Sequence, residues 1–273
     1  MNEAGRSARV PNLGHFFFFL ALTLFALLLS LSVVVSFAVA HGSEVTQALS
    51  DQRLLTIASM TTYLLALGMA FFAMPVFWHR PFAEGVEWNC VNVRWWLVVV
   101  GLGLGFAAQG LTVFFPVPKD LPIDKIFRNP AAIWFLAFFG VVIAPLFEEI
   151  VFRGFLLPAI AIAVDWMRIP RGSVPVVALE NLEAWRAGTE SSREALVVAS
   201  VLTSVVFAMI HGPQLEWTLS AVCLLFAVSM VLCAVRLRMR SVAASTVVHG
   251  CYNLSVFVSL FVATGGFRHL DKV

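Results

Sequence analysis

Seven apolar runs leave this chain essentially one class of fold. They lie at about residues 16–40, 54–78, 95–116, 131–158, 198–211, 215–235 and 242–263. A helix needs about 20 mostly apolar residues to cross a bilayer. The run at 198–211 is the shortest, and Gly212-Pro213 should break the helix after His211. The fifth and sixth runs therefore read as two helices or as one broken helix, with the fifth starting as early as Ala195. Hydrophobic residues make up 60% of the chain and charged residues only 12%, which excludes an ordinary soluble domain. The expected fold is an all-α polytopic transmembrane bundle of about seven spans, within a range of six to eight. Residues 1–130 read as N-terminal helices without a recognised motif, and residues 131–273 as the functional helix bundle.

The formal net charge of +2 is too small to point to nucleic acid, so the bilayer itself is the expected environment and partner. Cys90, Cys223, Cys233 and Cys251 show no C-x-x-C spacing and imply neither a disulfide framework nor a zinc finger. Ala38-Val39-Ala40 resembles a signal-peptidase site behind Arg6 and Arg9. The apolar run before it is much longer than the 7–15 residues usual for a signal peptide, so an uncleaved first helix is expected. With seven spans, eleven Lys and Arg residues fall on the N-terminal side and six on the other, leaving Arg153 within a span. That bias places the N-terminus in the cytoplasm, and the expected location is a prokaryotic plasma membrane, as a multi-pass chain. Residues 165–194 form the one sizeable polar segment, with an interfacial helix expected near 176–187.

Ionisable groups within such spans are costly and read as functional by default. Three sets occur. Glu148 and Glu149 precede Arg153, Phe207 precedes His211, and His249 precedes Asn253. Residues four apart share a helix face. Glu149 and Arg153 can neutralise each other in this way, which also suits a purely structural salt bridge. Glu148 points about 100° away from Glu149 on an α-helix and has no such partner. It is thus the freer carboxylate, as a general base requires. Each histidine taken singly reads as a hydrogen-bonded packing residue. Together with an acid and an asparagine on three helices, they read as a site, in which His249 and Asn253 offer two donors from one helix turn, the makings of an oxyanion hole.

Glu148-Glu149-x-x-x-Arg153, Phe207-x-x-x-His211 and His249-x-x-x-Asn253, in that order, resemble the CPBP family of intramembrane proteases over about residues 130–255. That family includes CAAX-processing endopeptidases and relatives linked to bacteriocin processing and immunity. The resemblance implies a glutamate-dependent endopeptidase acting on a membrane-embedded or lipidated protein or peptide. Glu148 would be the base, polarising a water with His211. His249 and Asn253 would stabilise the oxyanion. Glu149 and Arg153 would hold the site, and Phe207 would pack beneath His211. No thiol nucleophile is expected, since Cys251 lies two residues from both His249 and Asn253 and points off their face. A metal-free mechanism is favoured. The alternative is a His₂Glu zinc site built from Glu148, His211 and His249, although H-E-x-x-H is absent. The rivals from other classes are an ion-coupled transporter and a non-catalytic membrane scaffold. A transporter predicts inverted repeats and polar residues spread along a path, and neither is seen.

Overall fold

The computed structural model describes residues 9–114, 133–170, 175–188 and 190–268. Within them the chain forms α1 (Leu13–Ala40), α2 (Val45–Ser50), α3 (Gln52–Trp78), α4 (Phe82–Gly85), α5 (Trp96–Leu111), α6 (Ile133–Met167), α7 (Pro175–Ala187), α8 (Arg193–Ile210), α9 (Leu219–Met239) and α10 (Val242–Ala263), with no strand among the described residues. Six of these (α1, α3, α6, α8, α9 and α10) are long and apolar enough to cross a membrane, and α5 is a shorter apolar helix in the place of the third run. The protein is an all-α integral, multi-pass membrane bundle.

Local chemistry sets the helix ends. Asn12 accepts from the His15 N–H and opens α1, Asp51 accepts from Arg53 and Leu54 to open α3, and Ser192 and Ser241 do the same for α8 and α10. The fifth span starts at Arg193 rather than 198, because the Ser192 cap lies upstream of the apolar run. It stops at Ile210, and Gly212–Leu215 forms a short 3₁₀ turn before α9, so the fifth and sixth runs are two helices. The fourth extends to Met167, nine residues past the expected end at 158, because Asp165 and Trp166 remain compatible with a last helical turn. The helix expected near 176–187 is α7. The end of the 95–116 run, the division at 130/131, and Arg6, Lys119, Lys125, Arg128, Arg171 and Lys272 lie outside the described residues.

The bundle is built around α6. Protein covers half of its apolar window, against 17–39% for the other five long spans, whose outer faces carry residues such as Phe17, Phe25, Phe72 and Val262 for lipid. α1 pairs with α3, α8 packs between α6 and α9, and α5 lies along α10. The last contact depends on glycine. A Cβ at Gly101 would stand 2.5 Å from both the Val248 carbonyl oxygen and the Cys251 Cβ, so only a bare Cα lets the two helices approach. Small residues four apart, here Gly101 and Gly105, are the usual device for close helix contact in membranes. Gly101→Ala is expected to push α5 off α10 and lower stability by about 1–3 kcal/mol, read as a reduced unfolding midpoint in detergent.

α6 is not a regular α-helix. It is π-helical over Phe139–Ile143 and again over Ile150–Leu156, with α-helical turns between and around them. A proline follows each π turn by two residues. The Ala144 N–H bonds the Phe139 carbonyl and the Leu157 N–H bonds the Phe152 carbonyl. The next donor in each ladder would be residue 145 or 158, and both are proline, which has no N–H. The carbonyls of Gly140 and Arg153 are thereby left without a helical donor. π turns of this kind are rare and concentrate at functional sites.

Candidate active site

Between the two π turns runs the short α-helical stretch Ala144–Glu149, and it delivers both acids. Glu149 is fully buried and Glu148 retains 17% side-chain exposure, so the two adjacent carboxyls occupy different environments. Arg153 donates from one terminal nitrogen to Glu149 Oε1 at 2.9 Å, with both side chains fully buried. Its other terminal nitrogen donates to the Ser229 hydroxyl at 2.7 Å and the Ser229 carbonyl at 3.1 Å on α9. The guanidinium also lies 4.9 Å over the Phe207 ring.

α10 brings His249 against these acids. Its Nδ1 lies 2.9 Å from Glu149 Oε1, and its Nε2 faces Glu148 Oε2 at 3.8 Å. Since the Glu149 carboxylate accepts, Nδ1 is the donor. Glu149 thus holds Arg153 and His249 at once, while Glu148 faces the far edge of the imidazole.

The remaining motif residues converge through Phe207. Its ring, buried in the core, packs 4.6 Å from the His211 ring and 5.9 Å from the His249 ring, centroid to centroid. His211 follows the last residue of α8 and donates from Nδ1 to the Phe207 carbonyl at 2.7 Å, which leaves Nε2 with its lone pair free to accept. Asn253, one turn beyond His249, is expected to offer its amide to an oxyanion. In the structure one of its N–H groups donates to the Gly140 carbonyl at 2.7 Å, the acceptor opened by Pro145. That bond uses one of the two amide hydrogens. Cys251 is half-buried and forms no part of these contacts.

Several contributors were not picked out in the sequence. Tyr63 of α3 stacks on Phe147, the residue before Glu148, with ring centroids 4.0 Å apart. Nothing local in the sequence ties α3 to α6. Ser229 and Arg236 are more legible, being two polar residues seven apart in the apolar α9, on the face that also buries Leu232 and Cys233.

The zinc alternative can be tested on the donor set. Among the described residues, no three His, Cys, Asp or Glu side chains converge to hold a metal ion. Glu148, His211 and His249 do not form a preassembled His₂Glu cage here. Glu149 engages one ring nitrogen of His249 and the Phe207 carbonyl engages one of His211, a pattern that metal-bound histidines also show.

Residues 130–255 match the protein-family model described as type II CAAX prenyl endopeptidase Rce1-like, a segment that contains every motif residue named above. No curated protein and no solved structure matches the chain.

Proposed function

We propose, from the membership of residues 130–255 in the CPBP/CAAX protease family, that the chain is a glutamate-dependent intramembrane endopeptidase with Glu148 as its base. The observation that carries this reading is the division of labour around His249. Arg153 and His249 both engage Glu149, and among the described residues Glu148 faces the same imidazole without a salt bridge from arginine.

Glu148 takes a proton from a water. His211 Nε2 accepts a second hydrogen bond from that water and orients it. The hydroxide adds to the scissile carbonyl, and the oxyanion is met by His249 Nε2–H in its protonated form and by the free amide N–H of Asn253. Glu148 then returns its proton to the departing amine, so hydrolysis closes without an acyl-enzyme and without a step through a metal.

The substrate class is a membrane-associated protein or peptide, with prenylated C-terminal Cys-a-a-X chains the first candidates by family. The proposed orientation puts the N-terminus in the cytoplasm of a prokaryote. The test is comparative membrane proteomics of wild-type and Glu148→Ala cells. The reading expects at least one membrane protein to accumulate with an intact segment that the wild type removes. Identical proteomes at equal expression of the two forms would favour a scaffold.

A further inference from the structure

We infer that Arg236 is a positioning residue for this site, replacing the backbone hydrogen bond that Pro158 withholds from the Arg153 carbonyl. The inference rests on the hydrolase reading above only for its kinetic consequence. Arg236 is 4% exposed and lies outside the three motifs. Its Nε donates to the Arg153 carbonyl at 3.3 Å, and a terminal nitrogen pairs with Glu87 at 2.9 Å.

A buried carbonyl without a donor is expensive, and an arginine at that place removes the penalty. The result is a grip on Arg153 at both ends. Ser229 of α9 takes the guanidinium, and Arg236, two turns further along the same face, takes the backbone carbonyl. Because Arg153 holds Glu149 and Glu149 holds His249, the clasp fixes the scaffold against which Glu148 works.

The same arrangement occurs at the other π turn. Pro145 leaves the Gly140 carbonyl open, and the Asn253 amide closes it. The structure thus twice pairs a proline that removes a donor with a polar side chain from another helix that restores one. A salt bridge to Glu87 alone does not account for Arg236, since Glu87 is 55% exposed and water can solvate it.

The experiment compares Arg236→Met, Arg236→Lys, Pro158→Ala, the Arg236→Met/Pro158→Ala pair and Glu87→Gln in purified full-length protein. The probe is a quenched peptide ending in a farnesylated Cys-a-a-X, read as kcat and KM, with hydrogen–deuterium exchange over 153–158 measured in parallel. Arg236→Met is expected to lower kcat by about 10²-fold, the usual penalty for a small misplacement of catalytic groups, with faster exchange in the π turn. Arg236→Lys, should the methionine variant not fold, is expected to show the same exchange change at smaller size. Pro158→Ala supplies an N–H at residue 158. In the Arg236→Met background it should recover about ten-fold or more in kcat and slow the exchange, a coupling typical of residues sharing one acceptor. Glu87→Gln should leave both readouts near wild type. The inference is overturned if Glu87→Gln reproduces the loss, or if Pro158→Ala recovers neither readout. A wild type that cleaves no peptide tells against the hydrolase reading, and the exchange comparison then decides the clasp by itself.

Discussion

Glu148→Gln is expected to give a folded protein whose peptide hydrolysis has fallen by about 10²–10⁴-fold, the usual contribution of a positioned general base. The substitution keeps shape and hydrogen-bonding capacity and removes only the ability to take a proton. Its effect on stability should be small, because Glu148 is partly exposed and Glu149 carries the buried pair with Arg153. The separation of the two effects is the informative part. Glu149→Gln also lowers activity, because an amide oxygen is a weaker acceptor for His249 Nδ1 than a carboxylate, but it loosens the fold as well. Measured as kcat on a farnesylated peptide beside the unfolding midpoint in detergent, Glu148→Gln should move the first and spare the second. A folded Glu148→Gln protein with wild-type kcat would remove Glu148 from the mechanism.

The distinction between the two acids was open to sequence reasoning because it depends on local spacing. Arg153 lies four residues after Glu149, and the pair forms even though Ile150–Leu156 is π-helical. The span count and the polar helix at 175–187 follow equally local signals, namely apolar length and charge. What spacing alone left unread was contact between helices. The His249 imidazole reaches both acids because one ring has a nitrogen on each side, so adjacent positions with different helix-face directions still share it. Tyr63 reaches the site from α3 with no sequence cue. Asn253 shows the limit most clearly. Its spacing from His249 suits an oxyanion donor, but one of its amide hydrogens completes a backbone ladder interrupted by Pro145. Pro145 and Pro158 stand openly in the sequence, but the run at 131–158 reads as one unbroken span and gives no sign of the π turns they accompany. The acceptors they open became identifiable once the donors of Ala144 and Leu157 were placed.

Arg153→Met is expected to be the most destabilising single change in the site, at about 3–5 kcal/mol, because it strands a carboxylate with no access to water. Glu149 is fully buried, and the partners left to it, His249 and Ser245, supply no arginine charge. Glu149→Gln should cost less, since the Arg153 guanidinium keeps both bonds to Ser229 and its contact with Phe207. The double variant Glu149→Gln/Arg153→Met buries no net charge in this pair. It should therefore be more stable than Arg153→Met alone, so the two effects are far from additive. Denaturant unfolding in a fixed detergent measures all four corners of this cycle. Additive losses would mean that Glu149 and Arg153 act on separate parts of the bundle, and the buried pair would then not be what holds His249 in front of Glu148. A protein recovered in stability by the double change but still inactive would separate the two tasks of the pair. Neutralising charge inside the bundle can be done by apolar or amide groups of similar size, whereas a charge-assisted anchor for His249 Nδ1 needs the carboxylate.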